Sequence, residues 1–105
     1  MTNPTQIVDL DRQAIKQGLS DGSILLVDVR EPHEYADGHI PGSVSQPLTT
    51  FDPRAIPTDK RVVLSCRAGV RSKQASEMAR AVGIDFHEHY KGGFADWVAA
   101  GEPVE

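Results

Sequence analysis

The chain of 105 residues has the length of one domain, and 39% hydrophobic residues are enough to bury a core without metals or disulfides. Its 11 Lys and Arg against 15 Asp and Glu leave a formal net charge of −4, which argues against a nucleic-acid-binding protein. The single cysteine excludes an intramolecular disulfide and a zinc site built on paired cysteines.

The first residues, "MTNPTQIVDLDRQ", carry neither the basic start nor the apolar stretch of a secretory signal. No apolar run approaches the ~20 residues that a membrane-spanning helix needs. We therefore expect one cytoplasmic domain over residues 1–105, with no nucleic-acid and no membrane partner.

Turn signals and apolar periodicity divide the chain into short helices and strands. Helices are predicted at 10–19, 72–82 and 94–100, and strands at 24–29, 43–48, 61–65 and 84–90. Residues 49–59 are predicted to form a connecting loop. The runs at 24–29 and 61–65 are largely apolar, which is typical of strands buried on both faces of a parallel sheet. The order of elements predicts an α/β domain, in which sites form where the strands end.

Helical spacing also predicts which side chains face the core. Asp11 is expected to cap the first helix, which Gly18 and Gly22 help to end. In the other two helices the predicted core residues are Ala75, Met78, Ala79 and Val82, and then Phe94, Trp97 and Val98.

The lone cysteine stands between the predicted strand at 61–65 and the next helix, in "CRAGVRS" at 66–72. Such a turn points several N–H groups and the positive end of the helix dipole toward one spot. Gly69 lets the backbone turn inward, and Arg67 and Arg71 add positive charge. These features bind anions and lower the pKa of a thiol. The stretch therefore predicts a nucleophilic Cys66 in an anion-binding cradle.

Loop length separates two chemistries that such a cradle serves, attack on a phosphate ester and attack on a sulfane sulfur. Tyrosine-type phosphatases carry Cys-x5-Arg, whose arginine grips the phosphoryl oxygens. Here Arg71 gives Cys-x4-Arg, and the next residue is Ser72. The shorter loop favours a cradle for one sulfur atom over a cradle for a phosphate group.

The sequence resembles the rhodanese family, in its single-domain sulfurtransferase form. The resemblance is carried by "LLVDVREPHEYADGHIPGSV", "VVLSCRAGVRS" and "GGFADWVAAGEPV", whose order and spacing also fit. It covers the chain beyond its first few residues. It implies a three-layer α/β/α domain with a central, mainly parallel sheet of about five strands.

The resemblance also implies a sulfurtransferase that needs no metal or organic cofactor. The Cys66 thiolate would attack the outer sulfur of a donor such as thiosulfate, and sulfite would leave. Cyanide, a small thiol or a protein thiol would then remove the sulfur from the Cys66 persulfide. Arg67 and Arg71 would attract the sulfonate of the donor if their side chains face the pocket. The residues expected to hold the substrate or persulfide are Arg67, Ala68, Gly69, Val70, Arg71 and Ser72.

Residues around the loop are expected to support it. Asp28 and Arg30 follow a buried strand, and a partly buried ion pair between them is favoured over a direct role. A helical turn after Arg30 would also bring it to Glu34. His39 in "GHIPGS" is expected to hold its loop by hydrogen bonds rather than act as a general base. The larger two-domain rhodaneses carry a cationic residue in the stretch that contains Glu34, so no catalytic arginine is transferred to it.

The remaining histidines form no convincing metal site. His87 and His89 alternate along a predicted strand and should share a face, but no third ligand is evident. Gly92 and Gly93 are expected to supply turn geometry near the pocket.

Three other functions stay open from the sequence. One is a persulfide relay module that serves a protein donor or acceptor. A second is a Cys-loop phosphatase or arsenate reductase, which the missing Cys-x5-Arg spacing disfavours. The third is a non-catalytic interaction domain, which is disfavoured because such rhodanese-like modules typically lose the cysteine that Cys66 retains.

Overall fold

Five strands form one parallel sheet within residues 7–105, the part of the chain that the computed structural model describes. The strands are β1 (Val8–Leu10), β2 (Ile24–Asp28), β3 (Val44–Ser45), β4 (Arg61–Ser65) and β5 (Glu88–Tyr90). The helices are α1 (Arg12–Asp21), α2 (Pro32–Asp37), α3 (Val70–Ala81) and α4 (Gly93–Ala99). The spatial order of the strands is β1–β5–β4–β2–β3, which puts β4 at the centre. The predicted three-layer α/β/α domain with about five mainly parallel strands is confirmed.

Helices cover both faces of the sheet, and each face has its own apolar cluster. Helix α3 packs its buried Ala75 and Ala79 on one face. Helices α1 and α4 contribute Ile15 and Trp97 to the cluster on the opposite face. Alternate residues of β4 enter the two clusters, since Val62 and Leu64 join the first and Val63 the second. Burial on both faces explains why the central strands read as apolar runs.

The predicted helix at 10–19 began too early, because Leu10 belongs to β1. The Asp11 side chain accepts a hydrogen bond from the Ala14 N–H at 2.9 Å, so the helix begins after this cap. Gly22 ends the helix with φ 73°, as expected of a glycine C-cap. Gly18 lies inside the helix, where a Cβ would stand 2.8 Å from the Ile24 side chain. Gly18 therefore lets α1 pack closely on the sheet, and it does not end the helix.

Two predicted strands are shorter in the structure. The predicted strand at 43–48 is reduced to β3, and two 3₁₀ turns, Leu48–Thr50 and Pro53–Ala55, occupy the predicted loop at 49–59. The predicted strand at 84–90 begins only at Glu88, where its pairing with both neighbours begins, with Val8 of β1 and with Val63 of β4.

Three predicted core residues are exposed instead. Met78 and Val82 lie outside the buried stripe of α3, and Val98 is 49% exposed on α4. The stripe consists of the small residues Ser72, Ala75, Ser76 and Ala79. It lets α3 approach the sheet closely, so the larger apolar residues lie beyond the contact. No helix between residues 7 and 105 is long and apolar enough to cross a membrane.

Candidate active site

Cys66 follows the central strand β4 directly and is 1% exposed. Its Sγ accepts a hydrogen bond from the Gly69 N–H at 3.1 Å and lies 3.5 Å from the Ser72 Oγ. Gly69 has φ 89°, a left-handed conformation that favours glycine. A Cβ at Gly69 would stand 2.7 Å from the Lys91 carbonyl oxygen. The loop therefore needs glycine here to aim an N–H group at the sulfur.

The surroundings of Cys66 lower the pKa of its thiol. Burial is the largest single influence and acts to raise this pKa. Hydrogen bonds with the Ser72 hydroxyl and with the N–H groups of Ser72, Ala68 and Gly69 act in the opposite direction and together prevail. Three of the six loop residues expected to hold a sulfur thus contribute amides to the cradle. The site stabilises a thiolate at the carboxyl end of the central strand.

Helix α4 holds the loop from the other side. The Phe94 N–H donates to the Cys66 carbonyl oxygen at 2.9 Å, and the Ala95 N–H donates to that of Arg67 at 3.0 Å. Gly93 has φ 62°, and a Cβ there would stand 2.4 Å from the Cys66 carbonyl oxygen. The start of α4 can approach the loop this closely only because Gly93 has no side chain.

Arg71 is bound to Glu34 rather than free. Its Nη1 and Nη2 atoms donate to the two Glu34 carboxylate oxygens at 2.6 and 3.0 Å. The hydrogen bond from Arg71 is the main reason why the pKa of Glu34 falls to about 2, and the same bond raises the pKa of Arg71. The predicted pairing of Arg30 with the Glu34 side chain is wrong, since Arg30 reaches only the Glu34 carbonyl oxygen, at 3.4 Å. The ion pair ties α2 to the first turn of α3.

Arg67 is exposed, and its carbonyl group is held by α4. Its side chain borders a cavity of about 460 Å³ together with Arg30, Glu34 and Phe94. The two arginines of the loop therefore differ, because the Arg71 guanidinium is neutralised by a carboxylate and Arg67 faces an open cavity.

Asp28 and Arg30 form a buried ion pair, with the Arg30 Nη2 atom 2.8 Å from the Asp28 Oδ2 atom. Arg30 Nη2 also donates to the Gly38 carbonyl oxygen at 2.8 Å, and its guanidinium lies 4.1 Å from the centroid of the Phe94 ring. These contacts join the end of β2 to the end of α2 and to α4.

His39 lies in the same supporting layer. Its ring stacks on Tyr35 at a centroid distance of 3.9 Å, and its Nδ1 atom is 3.0 Å from the Tyr35 carbonyl oxygen. Its backbone N–H and carbonyl groups both pair with Glu105. His39 therefore braces α2 and the end of the chain.

A model of the "Rhodanese-like domain" family matches residues 11–100. The chain belongs to this family. It is 35% identical over 99 residues to a protein named sulfurtransferase from Allochromatium vinosum, which covers 91% of this chain and 92% of that one. It is 32% identical over 100 residues to thiosulfate:glutathione sulfurtransferase from Saccharomyces cerevisiae, over 80% of this chain and 71% of the yeast protein.

The structure of the human single-domain sulfurtransferase TSTD1 superposes with a TM-score of 0.73 at 27% identity, covering 93% of this chain and 97% of the human one. The rhodanese-like chain spans 60% and 59% of the length of two further relatives, from Synechocystis and Bacillus subtilis. The resemblance to the rhodanese family that the sequence indicated is confirmed, and this rhodanese-like domain contains one cysteine, Cys66.

The rhodanese-like site also contains side chains that the sequence did not reveal. The Ser72 Oγ atom is 2.7 Å from the His89 Nδ1 atom, and the His89 Nε2 atom is 2.6 Å from the Asp9 Oδ1 atom. The prediction that His87 and His89 share a face of the strand is wrong. His87 precedes β5 and pairs with Asp85 at 3.3 Å, whereas His89 is fully buried. The only available signal for Asp9 was the short apolar stretch before Asp11, and that stretch was assigned to no strand.

Proposed function

We propose that this rhodanese-like domain is a sulfurtransferase that moves a sulfane sulfur from a thiosulfate-like anion to a thiol through a persulfide on Cys66. The observation that carries the proposal is the convergence of N–H groups and the Ser72 hydroxyl on the Cys66 Sγ atom. These donors stabilise a thiolate, which is the form of Cys66 that attacks a sulfane sulfur. The names of the Allochromatium and yeast relatives agree with this reaction class.

The reaction follows from the nucleophile. The Cys66 thiolate attacks the outer sulfur of thiosulfate, the S–S bond of the donor breaks, and sulfite leaves with the electron pair. Cys66 then carries a persulfide. A thiolate acceptor such as that of a small thiol, or cyanide in an assay, attacks the outer sulfur and restores the Cys66 thiolate. This is covalent catalysis in two half-reactions.

Phosphate-ester hydrolysis fits the site less well. The loop has one residue fewer than Cys-x5-Arg, and the Nη1 and Nη2 atoms of Arg71 each already donate a hydrogen bond to the Glu34 carboxylate. A phosphatase of the Cys-x5-Arg type needs an arginine for the phosphoryl oxygens, and Ser72 stands at that position here.

The test uses purified protein with thiosulfate and either cyanide or glutathione, with Cys66→Ser as the control. We expect thiocyanate or glutathione persulfide from the wild type and none above background from the variant. Intact mass spectrometry after thiosulfate alone should show a gain of one sulfur, about 32 Da, that a reducing thiol removes.

Wild-type turnover no faster than that of Cys66→Ser would overturn the proposal. Sulfur uptake from a cysteine desulfurase but not from thiosulfate would replace the small-molecule donor with a protein donor. Cys66-dependent hydrolysis of an aryl phosphate would favour the phosphatase instead.

A further inference from the structure

Four side chains form a continuous hydrogen-bonded chain from the buried sulfur to the protein surface. It runs from the Cys66 Sγ atom to the Ser72 Oγ atom at 3.5 Å, to the His89 ring at 2.7 Å and to the Asp9 carboxylate at 2.6 Å. Cys66, Ser72 and His89 are buried, whereas the Asp9 side chain is 46% exposed. Residue pairing in the parallel sheet sets Asp9 directly beside His89.

The direction of each hydrogen bond follows from its members. A carboxylate only accepts, so the His89 Nε2–H group donates to Asp9 and the Nδ1 atom of the neutral ring has a lone pair. The Ser72 hydroxyl must then donate to Nδ1, which leaves its oxygen free to accept from the Cys66 thiol. The neutral state is therefore fully hydrogen-bonded and is also arranged for proton transfer.

We propose that His89 and Asp9 are positioning residues that ionise Cys66 by taking up its proton through the Ser72 hydroxyl. The S–H bond breaks and its proton passes to the Ser72 oxygen, while the original hydroxyl proton of Ser72 passes to His89 Nδ1. The products are a Cys66 thiolate that accepts a hydrogen bond from Ser72, and an imidazolium that is paired with the Asp9 carboxylate. No oxidant or other reactant is needed.

The charges around the four hydrogen-bonded side chains favour this proton transfer. Asp9 supplies the negative charge that faces the His89 ring from β1, and the hydrogen bond from His89 is the main reason why the pKa of Asp9 is lowered. Lys91, after β5, has its Nζ atom 3.9 Å from the Asp9 carboxylate, and Lys73 on α3 acts on the same carboxylate from farther away. Both lysines favour an ionised Asp9, which is the form that the proposed proton transfer requires.

The experiment measures the ultraviolet absorbance of the Cys66 thiolate across the pH range, with the Cys66→Ser spectrum subtracted. Asp9→Asn keeps a side chain of the same shape but removes its charge, and His89→Asn keeps a partner for Ser72 that cannot take up a proton. We expect each variant to raise the midpoint by about one pH unit, which leaves about tenfold less thiolate below the midpoint. Ser72→Ala should raise the thiolate midpoint at least as far. Ser72→Thr, which retains the hydroxyl, should keep the midpoint of the wild type.

The His87–Asp85 pair provides a matched control, because it contains the same two residue types and lies outside the chain of hydrogen bonds. Asp85→Asn should leave the midpoint unchanged.

If Asp9→Asn had the same thiolate midpoint as the wild type, the proposed proton transfer would be overturned, even if the buried His89→Asn variant failed to fold. A shift in Ser72→Ala alone would assign the whole effect to the hydroxyl. The titration contains no sulfur donor, so the proton-transfer proposal and the sulfurtransferase proposal can fail independently.

Discussion

On the β2 side of the Cys66 loop, charged side chains meet in ion pairs, Asp28 with Arg30 and Glu34 with Arg71. On the β5 side, Ser72 and His89 form a buried hydrogen-bonded chain whose only carboxylate is at its exposed end. Both sides touch the same seven-residue stretch, and each connects it to a different part of the sheet.

The difference indicates that the two sides have different roles around Cys66. Arginine and an ion-paired carboxylate keep their charges at neutral pH, so the β2 side fixes the shape of the loop without changing its protonation. On the β5 side the proposed proton transfer runs from Cys66 through Ser72 to His89, so this side is expected to control the charge of the sulfur. Substitutions on the β2 side should therefore change stability, and substitutions on the β5 side should change the thiolate midpoint.

The largest effect is expected for Asp28→Asn. Asp28 accepts from the backbone N–H of Arg30 and from its guanidinium in a site where both residues are 4% exposed. The substitution leaves the Arg30 charge buried without a counter-ion. We expect the free energy of unfolding to fall by about 3 kcal/mol, measured by denaturant titration.

The matching control removes both charges. Asp28→Asn combined with Arg30→Met should recover much of the lost stability, because an uncompensated buried charge costs more than an absent ion pair. The two sides would not differ as proposed if Asp28→Asn were as stable as the wild type, or if it moved the thiolate midpoint as far as Asp9→Asn.

A smaller and pH-dependent effect is expected for Glu34→Gln. The pKa of Glu34 falls from 4.5 to about 2 on folding, so the ion pair with Arg71 stabilises the fold fully above about pH 4.5 and loses this effect as the pH falls toward 2. Because both side chains are partly exposed, we expect a loss of about 1 kcal/mol at neutral pH that disappears near pH 2. Unfolding titrations at several pH values measure this difference.

The same substitution at Glu77 on α3 is the control, since Glu77 is an exposed residue of the same type. Its stability change should stay within about 0.5 kcal/mol. A Glu34→Gln deficit that is equal at all pH values would show that the side chain acts through packing and not through its charge.

The parts of the fold that the sequence predicted best are those that depend on the local chain. The central strands could be recognised because burial on both faces demands apolar runs, as in 24–28 and 61–65. Strand β1 and the true start of β5 could not be read from the sequence, because strands of three residues depend on pairing with distant strands, β1 with β5 and β5 also with β4. The exposure of Met78 also depends on how closely α3 approaches the sheet.

The candidate site shows the same limit. The cradle around Cys66 was predictable because strand, glycine turn and helix follow one another within seven residues. The Arg71–Glu34 contact spans 37 positions and the His89–Asp9 contact spans 80, so no local pattern encodes them. Sequence alone therefore predicted the cradle around Cys66 and missed the distant partners of Arg71 and Ser72.

The smallest effect is expected for Arg67→Gln. Among the described residues the Arg67 side chain forms no ion pair, and it borders the cavity that Arg30 and Phe94 also line. An exposed charge of this kind attracts an anion weakly and is screened by salt. We expect the KM for thiosulfate to rise about threefold at low ionic strength with little change in kcat, and the difference to shrink in high salt. Arg67→Lys keeps the charge and should keep the KM of the wild type. If the KM for thiosulfate depended neither on the charge at this position nor on salt, Arg67 would not attract the anion. The β2 side would then have a purely structural role.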